Sequence, residues 1–383
     1  MHYITAGESH GRALTAVVTG VPAGIPVDPT LIDADLARRQ SGYGRGGRQR
    51  IETDRVTLLS GVRFGRTIGS PISLAVANRD WDNWLDVMAV TGDKPDGIRE
   101  THPRPGHADL PGVLKTGSDD CRDILERASA RETAARVAAG GIAKALLAAV
   151  GVEVYSYVER IGPVAMDRPD RPWSIDREAV ADSDVSCPDP NVSHAMHEAI
   201  DAARADGESL GGVFTVVATG LVPGIGGYAE AGQRLDAALA ACVMSVPAIK
   251  GIEIGDGFAS AALPGSQVHD AIEPGAGQRY ARHTNRAGGL EGGMTNGEPL
   301  VLHAAMKPIP TLMRPLSSVD LDSGETVDAS KERSDVCAVP AAAVVAESEV
   351  AFALARAYTA KFGGDALVDI VAALDAYRSR IEP

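Results

Sequence analysis

The sequence predicts an α+β fold with hairpin-like strand pairs and an internal duplication, in one domain over residues 1–383. Three observations carry this. Gly7 to Pro26 (GESHGRALTAVVTGVPAGIP) and Gly207 to Gly226 (GESLGGVFTVVATGLVPGIG) match at about half their positions without a gap. Each reads as a turn, an apolar strand and a Pro/Gly turn leading to a helix, so the pseudo-repeats start near 7 and 207. The apolar runs between Val56 and Val76 are broken by Gly61, Gly65 and Gly69, as antiparallel strands are. Elements alternate along the chain, but the strand pairs look hairpin-like, which favours α+β over a doubly wound parallel sheet.

A length of 383 residues suffices for a large core. The net charge of −14 argues against a general nucleic-acid or membrane surface. Against that acidic background Arg38, Arg39, Arg45, Arg48, Arg50 and Arg55 cluster in one segment, which suggests a small polyanionic ligand. Cys121, Cys187, Cys242 and Cys337 show no metal spacing and read as reduced core thiols. The start, MHYITAGESHG, has no basic-then-apolar signal, and no run is long enough to span a bilayer. A cytoplasmic location is expected.

Taken in order, the first repeat contains His10, which the second replaces with Leu210, while Gly7, Gly11, Gly20 and Gly24 are shared. Shared glycines serve turns; the residue that one copy dispenses with is the functional candidate. The helix after the first repeat carries Ile32 and Leu36, and the helix after the second Leu235, Leu239, Cys242 and Val243. Arg38 to Arg48 (RRQSGYGRGGR) lets backbone N–H groups and guanidinium forks converge on an anion. It lacks the Gly-Lys-Ser/Thr of a P-loop, and a flexible surface loop or an RNA-binding segment are its other readings. Trp81 to Trp84 (WDNW) reads as an anchor or subunit contact.

Thr101 to Gly140 is the chemical centre. His102 and His107 flank Arg104 in a Pro/Gly-shaped loop, and Cys121, Ile124, Leu125 and Ala128 recur at helical spacing. Ser129 to Glu132 (SARE) reads as a capping box opening an Ala-rich helix that fades near Gly151, and a helix start is a ready anion site. Gly151 to Val158 is a strand, and Arg168 to Pro190 a surface excursion. His194 and His197, beside Glu198 and Asp201, form a solvated face. Ile249 to Phe258 is a strand and turn. Arg282 to Asn296 is glycine-dense, too flexible for an element and typical of a ligand-covering loop. Pro299 to Met306 is a strand running into Lys307–Thr311, Lys331 to Asp335 pairs an Arg with an Asp, and helices Ala341 to Lys361 and Asp365 to Arg380 close the chain.

A metal on His102, His107 and Asp109 is a weak reading, because no second shell is in view. A Ser9–His10 nucleophile–base pair is improbable, since adjacent residues in a turn rarely point at each other. What remains is two histidines as proton donors, arginines as anion clamps and an Asp near an Arg. That set suits expulsion of a phosphate or carboxylate-bearing group.

GESHG, RRQSGYGRGGRQRIE, HPRPGHAD, ERASARETAARVA, NRAGGLEGGMTNGEP, MKPIPT and ERSDVCAVPA occur in this order and resemble the chorismate synthase family nearly end to end. The resemblance implies a lyase of the shikimate pathway and aromatic amino acid biosynthesis. It eliminates phosphate from 5-enolpyruvylshikimate 3-phosphate by an anti-1,4 route, giving chorismate with reduced FMN but without net redox change. It also implies a β-α-β sandwich with helices between two antiparallel sheets, assembled as a homotetramer.

On this resemblance Arg39, Arg45, Arg48, Arg104 and Arg131 bind substrate, His10 serves the departing phosphate and His107 the reduced flavin, while Ser9 and Ser129 relay protons. Asp335 accepts a proton from flavin N5, with Arg333 as its expected counter-charge. The implied FMN contacts are Ser129, Ala130, Arg131, Pro247, Ala248, Gly292, Lys307, Pro308, Ile309, Pro310, Thr311 and Arg333. NADPH is implied at Arg39 and Arg45, as a flavin reductant for some members, others relying on an external flavin reductase. Many members have Asn-Ala where this chain has Pro247-Ala248. An RNA-binding protein lacks support, with no basic face or stacking aromatics; an ordinary flavin oxidoreductase would consume reductant stoichiometrically.

Overall fold

The computed structural model describes residues 1–47, 52–275, 279–332 and 334–381. Strands β1 (His2–Ala6), β2 (Ala13–Thr19), β3 (Val56–Leu58) and β4 (Ile72–Ala77) form one antiparallel sheet in the order β1-β2-β4-β3. Strands β5 (Glu153–Ile161), β6 (Val164–Ala165), β7 (Gly212–Thr219), β8 (Ile249–Ile254) and β9 (Leu300–Met306) form a second, in the order β8-β9-β7-β5-β6. Leu14, Ala16 and Val18 of β2 alternate with half-buried neighbours, the period of a strand covered on one face.

Helices α1 (Pro29–Gln40), α2 (Asp109–Thr116), α3 (Arg122–Ala128), α4 (Thr133–Ala149), α5 (Pro190–Asp206), α6 (Leu235–Met244), α7 (Val339–Phe362) and α8 (Leu367–Ile381) supply the rest of the frame. Helix α4 packs on β2 and β4, α7 packs on β5 and β7, and the two helices pack on each other. Helices therefore separate the sheets, the sandwich that the sequence led us to expect. Helix α7 is apolar nearly all round, which places it between layers rather than at a surface. A Cβ on Gly140 would lie 2.4 Å from Ser348 Cβ, so α4 and α7 can approach this closely only with glycine there.

The two matched stretches sit in like surroundings. Thr67 Oγ1 donates to Pro22 O at 2.5 Å and accepts from Ile25 N at 2.9 Å; Thr295 Oγ1 donates to Val222 O at 2.6 Å and accepts from Ile225 N at 2.8 Å. Each threonine ends a two-stranded hairpin, Val62–Thr67 or Leu290–Thr295. The reading of Arg282 to Asn296 as a flexible cover loop is thereby corrected. Its glycines allow close packing: a Cβ on Gly288 would lie 2.3 Å from Gly255 N. Among the described residues no helix is long and apolar enough to cross a membrane.

Candidate active site

A cavity of about 470 Å³ opens where the starts of α4 and α7 meet the loops after α1 and β9. Its walls include Ser129, Ala130, Arg131 and Thr133 from the start of α4, and Ala338, Ala341, Ala342 and Val345 from the start of α7. Two helix N-termini thus turn their positive ends toward one space, which favours an anion. Ser9, His10, Arg39, Arg45, Arg104, His107, Lys307 and Asp335 add polar lining, as do the acids Glu52 and Glu332, and Leu125, Val246 and Pro247 add apolar lining.

His10 is held by Glu126 of α3. The His10 N–H donates to Glu126 Oε2 at 2.8 Å, His10 Nδ1 lies 2.8 Å from Oε1, and Ser9 N–H donates to the Glu126 carbonyl at 2.8 Å. Burial raises the Glu126 pKa, but the hydrogen bonds from His10 and the charge of Arg122 outweigh it and the carboxyl lies below its ordinary value. The Trp84 ring stacks on the His10 ring with centroids 3.7 Å apart. Trp84 was expected to be an anchor or subunit contact; a turn of 3₁₀ helix over Arg79–Asn83 brings it onto the histidine instead. Asn78 donates to Gly11 O at 2.6 Å and accepts from Arg131 Nε at 2.8 Å, tying the His10 turn to the start of α4.

His107 has its own carboxylate. His107 Nδ1 lies 2.5 Å from Asp109 Oδ1 and 3.1 Å from Arg104 Nη2. The Asp109 carboxylate can only accept, so the shorter contact assigns the proton to Nδ1, and Arg104 Nη2, itself only a donor, is a neighbour of that nitrogen and not its hydrogen-bond partner. Arg104 Nε donates to Asp109 Oδ2 at 2.8 Å. Burial works against the charged form of Asp109, yet the bonds from His107 and Arg104 hold its carboxyl well below the usual range. Helix α2 begins at Asp109, so the loop is pinned where it becomes helical.

Arg39 Nη2 donates to Asp54 Oδ2 at 2.7 Å, and Arg131 Nη1 lies 2.7 Å from both Asp54 oxygens. Arg45 Nη1 is 3.0 Å from Asp335 Oδ2, and Gly46 N–H donates to Asp335 Oδ1 at 2.6 Å. Arg45 is therefore the counter-charge observed at Asp335. Arg48 and Arg333 lie outside the described residues.

The structure brings most of the expected site residues to this cavity, with four corrections. Gly292 does not line it; it occupies the tip of the Leu290–Thr295 hairpin. Pro308 is not on its wall, although Lys307, Ile309, Pro310 and Thr311 are. The SARE capping box does not close: Ser129 Oγ accepts from Arg131 N, while the Glu132 carboxylate goes to Thr5 and Arg136. The chain therefore enters α4 through a 3₁₀ turn over Ala130–Glu132. His102 turns away, 3.2 Å from Asp320. Sequence reasoning missed Glu126 and Asp54 altogether, read Trp84 as an anchor or subunit contact, and weighed Asp109 only as a metal ligand. The available signal was an acid embedded in each arginine-rich or histidine-bearing motif.

Two carboxylate-anchored histidines and a ring of arginines about one cavity define a site for proton-assisted departure of an anion, the chemistry of a carbon–oxygen lyase. The chorismate synthase family model matches residues 1–359. A chorismate synthase of Symbiobacterium thermophilum is 55% identical, covering 100% of this chain and 99% of its own. One of Rubrobacter xylanophilus is 56% identical, over 99% of this chain and 97% of its own. A crystal structure of chorismate synthase superposes with a TM-score of 0.81 at 39% identity, over 99% of this chain and 98% of that one. The chain belongs to the chorismate synthase family, and its activity is that of the shikimate-pathway lyase.

Proposed function

We propose that this cavity binds 5-enolpyruvylshikimate 3-phosphate beside reduced FMN and eliminates phosphate to leave chorismate. The carrying observation is the convergence of His10, His107, Arg39, Arg45, Arg104 and Arg131 on one cavity that also has an apolar lining. Its volume lies within the roughly 300–1,000 Å³ of small-molecule sites. The lining fits a flavin. Val246, Pro247, Ala341, Ala342 and Val345 offer a flat ring apolar side chains, and Ser129, Arg131, Lys307 and Thr311 offer it polar groups. Arg39 Nε and Arg45 Nε are buried donors without a partner among the described residues, as expected where an anionic acceptor belongs.

When bound, reduced FMN supplies electron density without being consumed. The chain's own residues do the rest. Arg39, Arg45, Arg104 and Arg131 orient the carboxylates and phosphate of the substrate, with Arg48 as a further substrate contact and Arg333 as a flavin contact. His10, fixed by Glu126, donates to the departing phosphate oxygen as charge develops there. His107, fixed by Asp109, donates toward the anionic ring of the cofactor. Asp335, fixed by Arg45 and the Gly46 N–H, is the proton acceptor, and Ser9 and Ser129 relay protons. Arg39 and Arg45 also serve NADPH if the enzyme reduces its own flavin; otherwise an external flavin reductase does so. The working assembly is a homotetramer in the cytoplasm.

The deciding experiment is anaerobic product analysis. Phosphate and chorismate should form with catalytic reduced FMN and no stoichiometric loss of reductant. Equal turnover with flavin removed, or one reductant consumed per phosphate, would refute this reading.

A further inference from the structure

Beneath the cavity lies a carboxylate that the chemistry above does not use. Asp54 has no side-chain exposure, and its two oxygens take Arg39 Nη2 and Arg131 Nη1, each at 2.7 Å. Its backbone N–H donates to Gln40 Oε1 at 2.9 Å, which fixes it to the end of α1 one residue beyond Arg39. Both arginines line the cavity and are tethered further: Arg39 Nη1 to Thr133 Oγ1 at 3.3 Å, and Arg131 through Nε to Asn78 Oδ1 at 2.8 Å and through Nη2 to Ala77 O at 3.3 Å, with Glu52 Oε2 3.7 Å from Nη2.

Two guanidiniums bound to one buried carboxylate repel each other, and the attraction of each to the carboxylate offsets that repulsion. Burial lowers the pKa of Arg39 to about 10, Asp54 opposes this, and Arg131 and Arg45 add to it. The arrangement also limits what the arginines can bind. With Asp54 in place neither arginine can turn the nitrogen it gives to the carboxylate toward a ligand, and Asp54 cancels one of the pair's two positive charges, with Glu52 a looser second counter-charge 3.7 Å from Arg131. A compact anion gains from charge alone, whereas a larger polyanion gains from where the charges stand.

We infer that Asp54 is a positioning and selectivity residue: it locks Arg39 and Arg131 in the spacing the organic substrate needs and weakens the site's hold on free inorganic phosphate. A product that is itself a small anion makes such a device useful, because an uncompensated pair of arginines would retain it. The inference rests on the assignment of Arg39 and Arg131 to substrate binding.

The experiment is Asp54→Asn, nearly isosteric but uncharged, assayed anaerobically with reduced FMN. KM for the substrate should rise at least tenfold while kcat changes less, and inhibition by inorganic phosphate should tighten at least threefold. A merely structural role would weaken both ligands together. Phosphate inhibition that stays the same or weakens overturns the inference. If Asp54→Asn is not recovered folded, the double variant Asp54→Asn/Arg39→Gln, which removes one positive charge with the negative one, should be; failure of the double variant also overturns it. Arg39→Gln and Arg131→Gln alone test the underlying assignment: parental KM in both would sink the substrate-binding reading itself, independently of Asp54.

Discussion

At His10 the side chain, its carboxylate and its stacking ring come from three separate stretches, near residues 10, 84 and 126. Only the histidine was legible, through the Leu210 that replaces it in the second matched stretch. Removing a positioned proton donor typically costs about 10²–10⁴-fold in rate. His10→Ala is therefore expected to keep the fold and flavin binding while slowing phosphate release by that range, read in single turnover; a variant within threefold of the parent would show that the asymmetry carries no chemistry. Asp335→Asn should bind substrate and reduced FMN nearly as the parent does and slow turnover at least tenfold, because Arg45 and Gly46 keep a partner of the same shape but the proton acceptor is gone. Parental single-turnover kinetics would reduce Asp335 to a structural tie for the Arg45 loop.

At the scale of elements, whatever has a period or a turn signature was legible. Strand β2, helix α4 and the closing helices lie close to where apolar spacing and glycine placed them. Tertiary partners were not accessible in this way. The Glu132 carboxylate leaves the expected cap because Thr5 and Arg136 compete for it, and nothing local announces a strand edge 127 residues away. The stretch Arg282 to Asn296 looked like loose loop because its glycines were read as freedom, whereas at Gly288 the close approach of Gly255 and β9 leaves no room for a side chain. The likeness of the Leu290–Thr295 hairpin to the Val62–Thr67 hairpin supports our reading of an internal duplication and makes a paired prediction. Thr67→Val and Thr295→Val each leave a buried N–H and a buried carbonyl without their hydroxyl. Each should cost about 1–3 kcal/mol in denaturant unfolding, and the two by similar amounts. Costs that differ severalfold would mean that the matching bonds do not have matching roles.

Over the whole molecule, the helix layer is held by buried ions as well as by apolar contact, and this sets how the protein responds to acid. Glu347 in α7 takes Lys144 Nζ at 2.5 Å, Arg38 at 2.9 Å and Ser156 at 2.7 Å, joining α1, α4 and β5. Burial opposes its ionisation, but Lys144 and Arg38 hold its carboxyl below the ordinary value. On the far face of the second sheet, Glu159 is likewise buried, and hydrogen bonds from His303 and Thr215 bring it down to about 2. Glu126 and Asp109 are shifted in the same direction. A carboxyl whose folded pKa is depressed contributes stability that is fully present above its unfolded pKa, near 4, and is lost as pH falls through the folded value. Glu349 runs the other way, since burial raises it despite Tyr3 and Arg136, and so it resists acid rather than promoting unfolding. Asp120 and Asp270 are lowered as well, so among the described residues the depressed carboxyls outnumber Glu349 and set the sign. The urea midpoint should stay level from neutrality to about pH 5 and then fall steadily toward pH 2. Glu159→Gln, which leaves Thr215 and His303 with an uncharged partner, should lower the midpoint at pH 7 and flatten its fall between about pH 4 and 2. A variant whose acid slope matches the parent's would show that Glu159 has no part in the transition.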